Sequence, residues 1–177
     1  MAIGLDVEQV VHHSAFVMIK NARIYSPSKG MVAFDAMIED IVSVMEQDTD
    51  SAYEVIVGSD SHPSLGDTDF VTAVIVRRVG KGGRYFWSRS CEGKYRELSQ
   101  RIYREAILSF DWAKAIMESL EKRTLLDFNL EIHVDVGHNG KTRSLIDGVV
   151  GMIVGGGFPV KIKPDAYAAS SVADKYT

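Results

Sequence analysis

Apolar positions along the chain recur with two periods, and the switches between them mark out the elements. From about Val32 to Gln47, Phe34, Met37, Ile38, Ile41, Val44 and Met45 follow the three-and-four spacing of one helix face. After a polar break at 48–51, the run Val55-Ile56-Val57 is short, β-branched and stopped by Pro63, which predicts a buried strand over 54–60. Phe70–Val79 reads as a second strand, Gly80-Lys81-Gly82-Gly83 as a turn, and Tyr85-Phe86-Trp87 as the start of a third, antiparallel to the second. The helical period returns between Tyr95 and Glu121, with Leu98, Ile102, Ser109, Ala113, Ile116 and Leu120 on one stripe. Leu130–Asp135 predicts a fourth strand, Leu145–Val154 a helix ended by Gly155-Gly156-Gly157, and Phe158–Ile162 a fifth strand. Pro164 breaks that strand, and 165–175 predicts a last short helix.

Residues 1–30 carry a weaker pattern. Val10-Val11 and Phe16–Ile19 suit a helix or a strand, His12 and His13 read as solvated, and Ser26–Gly30 reads as a turn. The expected fold is α/β: a mixed five-stranded sheet with a three-stranded antiparallel meander, two parallel strands reached by crossovers, and helices on its faces. Residues 1–50 are expected to form an extension with one helix packed on a domain of 51–177.

Composition narrows the function classes. The chain has 177 residues, 46% hydrophobic and 25% charged, enough for one core. A single cysteine, Cys91, excludes a disulfide framework and a cysteine-rich zinc site. With no signal peptide and no apolar run near ~18 residues, the expected location is cytoplasmic, away from membranes. A net charge of −4 argues against a strongly basic nucleic-acid coat but is compatible with an acidic metal site.

Four acids stand where chemistry is performed. Asp60 and Asp135 end the first and fourth strands, Glu105 interrupts the apolar stripe of the long helix, and Asp174 lies in the last helix. If those two strands are parallel neighbours, Asp60 and Asp135 lie side by side. Carboxylates that close repel unless a cation sits between them, and oxygen ligands suit Mg2+ or Mn2+. Such ions support phosphodiester hydrolysis. For Glu105 the competing expectation is an ion pair with a neighbouring arginine.

Secondary candidates surround this set. His62 and His133 each lie two residues from a strand-end aspartate and share its face. Either could be a ligand or a hydrogen-bonding support, the support being favoured for His133. With Asp60, Asp135 and Asp165 they allow a mixed His/Asp metal site of the metallophosphoesterase kind, which prefers Zn2+, Mn2+ or Fe. Asp165 is also a reserve fourth acid, though a helix N-cap is the preferred reading. Ser61 lacks the strand-turn-helix elbow of a nucleophile, and the glycine run at 155–157 lacks the lysine of a phosphate loop. Lys141, Arg143, Lys161, Lys163 and Lys175 could meet a phosphate backbone. So could Arg77, Arg78, Lys81 and Arg84 of the hairpin, where a solvated tip is an equal reading.

The motifs Val57-Gly58-Ser59-Asp60-Ser61-His62, Arg101–Glu105, Ile132–Gly137 with Asn139–Thr142, and Lys163–Ser170 followed by Val172-Ala173-Asp174-Lys175 resemble the ribonuclease H-like superfamily over about residues 50–177. More closely, they resemble the bacterial YkuK-type family. The resemblance implies that Asp60, Glu105, Asp135 and Asp174 form the acidic set of a metal-dependent nuclease acting on nucleic acid. The chain departs from that pattern in having no evident basic handle segment and no histidine in the loop before the last helix. A binding module that keeps the fold without catalysis is the second reading, separated from the first by whether the four acids converge.

Overall fold

A computed structural model describes residues 7–64, 66–139, 141–172 and 175–176. The chain runs α1 (Val7–Lys20), β1 (Ile24–Ser26), β2 (Gly30–Val32), α2 (Phe34–Glu46), β3 (Tyr53–Pro63), β4 (Thr68–Arg78), β5 (Gly82–Glu92), α3 (Leu98–Glu121), β6 (Asn129–Gly137), a 3-10 turn (Arg143–Leu145), α4 (Ile146–Gly155), β7 (Val160–Lys163) and α5 (Ala168–Ser171). One sheet takes the order β2-β1-β5-β4-β3-β6-β7. β3, β4 and β5 form the antiparallel meander, and β6 and β7 add to it in parallel.

The sheet therefore has seven strands where the periodicity predicts five. The two extra strands form a hairpin at the edge, Ile24 pairing with Val32 and with Ser88 of β5. Each is three residues long, too short for period-two alternation to register. The stretch before residue 51 also holds two helices, α1 as well as α2. The last helix is shorter than the expected 165–175, and its N-cap position belongs to Tyr167. Asp165 thus caps no helix. It is exposed in the preceding turn, where its N–H donates to the Ile162 carbonyl at 2.9 Å.

Alternation divides the sheet into two faces. Odd positions of β3 with Val74, Val76, Phe86, Leu130, Ile132 and Val134 meet α2 and α3 in the main core. Phe34, Met37, Ile38, Ile41 and Met45 of α2 are all at most 1% exposed, as their spacing requires. Burial of each such side chain stabilises the fold by roughly 1.5–3 kcal/mol. The other face carries Val71 and Ala73 under Val172, with Tyr85, Trp87 and Tyr176 beside them. The glycine run after α4 is a packing device. A Cβ on Gly156 would fall 2.1 Å from the Phe110 ring, and Gly157 takes φ +91° to turn the chain into β7.

Candidate active site

Parallel pairing of β3 with β6 puts Gly58 opposite His133. Two residues further along both strands, Asp60 and Asp135 follow on the same face. Both are half-buried at the sheet end. Glu105 reaches this end from the helix-covered face. It is 4% exposed, and its Oε1 accepts a 2.6 Å hydrogen bond from the Ser61 hydroxyl. Among the described residues its Oε2, buried, has no hydrogen-bond partner.

The electrostatics follow from that placement. Burial pushes the Glu105 carboxyl up to about 8. The Ser61 hydroxyl opposes the shift, the negative charges of Asp60 and Asp135 add to it, and Arg101 opposes it weakly. The ion pair expected for Glu105 does not form. Arg104, its chain neighbour, forks onto Glu92 instead, with Nε at 2.8 Å and Nη2 at 2.6 Å. Glu105 is therefore a buried acid whose ionisation the charges of Asp60 and Asp135 disfavour and whose Oε1 the Ser61 hydroxyl engages.

The hydroxyl pattern explains how the helix supports this acid. Ser109, one turn after Glu105, donates to Ser59 Oγ at 2.9 Å, and Ser59 is 2.8 Å from Thr72 Oγ1. Two polar side chains four apart on α3 thus match two that are two apart on β3. Ser61, excluded as a nucleophile, is the donor that orients Glu105. The serine pair on the core-facing side of β3 is the sequence signal for this contact.

Asp135 has a cation of its own. Lys163 Nζ on β7 lies 2.6 Å from its Oδ1, while the lysine side chain stays 53% exposed. An exposed pair of this kind is worth at most about 1 kcal/mol. If the acidic end of the sheet takes a divalent ion, that ion has to displace this ammonium from Asp135. Lys163→Met is therefore expected to tighten Mn2+ binding roughly two- to fivefold at low salt. A titration that finds weaker or unchanged binding contradicts this competition.

The two histidines part company. His133 is 1% exposed. Its Nδ1 accepts the backbone N–H groups of Tyr167 at 3.1 Å and Ala168 at 3.3 Å. Backbone N–H groups only donate, so Nδ1 is unprotonated and Nε2 carries the hydrogen, which it donates to Glu131 Oε1 at 2.9 Å. The contact with Glu131 is a hydrogen bond to a neutral ring, because burial holds the imidazole below its ordinary range even though Glu131 pulls the other way. Lys161 completes Glu131 at 2.8 Å. With both ring nitrogens engaged, His133 has none left for a metal, which removes it from the mixed His/Asp site. His62 is exposed on the Asp60 face, opposite Asp69 of β4.

Among the described residues, no three His, Cys, Asp or Glu side chains are gathered into a group that could hold a metal ion as they stand. Asp174 lies outside the described residues. Lys141, Arg143 and Lys175 are exposed, Lys141 and Arg143 in and just after the loop that follows β6.

A family model for ribonuclease H-like proteins matches residues 36–177. The chain belongs to the ribonuclease H-like family. It is 29% identical to "Uncharacterized protein YkuK" of Bacillus subtilis (strain 168), over 86% of this chain and 95% of that protein. No solved structure matches it. The mixed sheet, an antiparallel meander with two parallel strands, is of the ribonuclease H-like kind, and the short hairpin lies at its β5 edge. Among the described residues no helix is long and apolar enough to cross a membrane.

Proposed function

We propose that the chain is a divalent-metal-dependent nuclease whose site is Asp60, Glu105 and Asp135, completed by Asp174. One observation carries the reading. Two carboxylates at the ends of neighbouring parallel strands bear electrostatically on a buried third, whose Oε2 has no hydrogen-bond partner among the described residues. A protein that only needed a core would fill the Glu105 position with an apolar side chain. A divalent cation offsets this concentration of negative charge, and the donor set, all carboxylate oxygens, suits Mg2+ or Mn2+. When bound, such ions supply Lewis-acid stabilisation of the charge that develops on a phosphodiester.

The chain's own residues divide the remaining work. Ser61 holds Glu105 toward the sheet end. Lys163, freed from Asp135, would meet a phosphate oxygen, and Lys141 and Arg143 would follow the strand away from the site. The pairing of Asp135 with Lys163 also favours a second reading, a nucleic-acid-binding module balanced by lysine rather than by metal.

Cleavage separates the two readings. The chain, with Mn2+ or Mg2+, is incubated with single-stranded and duplex DNA, RNA, an RNA–DNA hybrid and a branched junction. The nuclease reading expects cleavage of at least one substrate, reduced at least 100-fold in both Asp60→Asn and Asp135→Asn, variants that retain binding. Binding without cleavage across the panel supports the module.

A further inference from the structure

A cavity with two cations in its wall lies far from the acids. The β1–β2 turn and the start of β5 diverge after Tyr25 pairs with Trp87, and the gap between them encloses about 460 Å3. Its wall is formed by residues 26–29 and 83–85, which include two cations and the hydroxyls of Ser26 and Ser28 but no acid. Arg84 pairs with Val76, which pairs with Val55, five residues before Asp60. That separation is roughly 15–20 Å along the strands, with two strand spacings across them in addition.

Behind the wall, Asp40 of α2 draws the two cations together. Its side chain is 5% exposed, and a single oxygen, Oδ1, takes both Lys29 Nζ at 2.8 Å and Arg84 Nη1 at 2.6 Å. The two head groups therefore lie within about 6 Å of each other. The other carboxylate oxygen, Oδ2, is buried and has no hydrogen-bond partner among the described residues. A pair that served only to tie α2 to the sheet would take the two-oxygen fork, as Arg104 does with Glu92 in this same chain. Arg84 instead uses one nitrogen and keeps its remaining donors, and Lys29 keeps two of its three. Ser26 and Ser28, 3.2 Å apart at the hydroxyls, line the same space.

We propose that this cavity is a binding site for the phosphate of a nucleotide, free or at the end of a strand. Converging ammonium and guanidinium groups with spare donors match a phosphate's oxygens. The net positive charge that remains after Asp40 is counted favours an anion. The volume exceeds a bare phosphate and falls in the range of roughly 300–1,000 Å3 typical of small-molecule sites. Pro27 adds apolar wall for a base or sugar. Asp40 is the organiser, fixing both cations before the ligand arrives. None of the four acids takes part, so the site stands whether or not the chain is a nuclease.

The test is calorimetric titration of the full chain with inorganic phosphate, adenosine monophosphate and a 5′-phosphorylated dinucleotide, without divalent metal. Adenosine monophosphate is expected to bind more tightly than inorganic phosphate. Lys29→Gln and Arg84→Gln are each expected to weaken it about tenfold, and Asp60→Asn to leave it unchanged. Each single substitution leaves Asp40 with one cation, so the fold is retained, and thermal melting checks this. Arg84→Lys, which keeps the charge without the fork, is expected to fall between wild type and Arg84→Gln. Dinucleotide binding equal to that of the mononucleotide assigns the site to strand ends, and weaker dinucleotide binding assigns it to free nucleotides. No binding of any probe overturns the proposal. So does binding that Asp60→Asn abolishes while Lys29→Gln and Arg84→Gln spare it, or nucleotide binding no tighter than that of inorganic phosphate.

Discussion

Glu105→Gln is expected to make the metal-free protein more stable, not less. In the native state the Glu105 carboxyl is pushed up to about 8, chiefly by burial, while in the unfolded chain it ionises near the ordinary glutamate value of 4.5. Between those pH values the unfolded state has released a proton that the native state still holds. The contribution of this group to stability is therefore fully present below about pH 4.5 and is lost as pH rises through about 8. Glutamine keeps an acceptor for Ser61 and removes the ionisation. At pH 7.5 the variant should gain about 1–3 kcal/mol, or roughly 3–10 °C in melting temperature. If the acidic site binds Mg2+ or Mn2+ as proposed, the metal should raise the wild type's melting temperature, and the same substitution should abolish that rise because the cation no longer has this carboxylate to neutralise. Thermal melts of both proteins from pH 5 to 9, with and without metal, check each half. A variant less stable than wild type at every pH would show that Glu105 contributes to folding and is not held for function.

His133→Leu should have the opposite sign and comparable size. The imidazole supplies the acceptor for two backbone N–H groups at the start of α5 and the donor for Glu131. Leucine fills much of the space and leaves those groups without partners, at a cost of about 2–4 kcal/mol in chemical denaturation. Amide exchange at Tyr167 and Ala168 should accelerate alongside. Because burial holds the native imidazole below 6.5, the unfolded state binds more protons in acid. This group's contribution is fully present above about pH 6.5 and is lost as pH falls through the lowered native value. The wild type's loss of stability in acid should therefore be shallower in His133→Leu. Unchanged stability, with unchanged exchange at residues 167 and 168, would contradict the clasp.

The site was legible where side chains share an element and obscure where elements meet. β-branched runs ending in Asp60 and Asp135 mark the two strands, and Glu105 on an apolar stripe marks a buried acid. Those features follow from periodicity, which one element carries by itself. The Ser61 hydrogen bond, the Lys163 pair and the His133 clasp each join residues 28 to 44 apart in sequence, and no local pattern encodes which partner wins. Arg104 illustrates the difficulty. Sequence proximity makes it the natural partner of Glu105, yet successive residues of a helix diverge by about 100°, and Arg104 forks onto Glu92 of β5. The edge hairpin escaped for another reason. Ile24–Ser26 and Gly30–Val32 are held by pairing with β5 and with each other, not by a strand-length apolar pattern. His133 was readable as a support because it sits inside its strand, though its partners, the backbone of residues 167 and 168, have no side-chain signature.

The measurement that tests the central claim most directly is calorimetric titration of the wild type, Asp60→Asn and Asp135→Asn with Mn2+ at pH 8, where Glu105 is substantially ionised. The acidic site predicts saturable binding in the wild type and at least a tenfold loss of affinity in each variant. Wild-type protein that binds no divalent ion, or variants that bind it as tightly as the wild type does, would contradict an acidic metal site at the ends of β3 and β6.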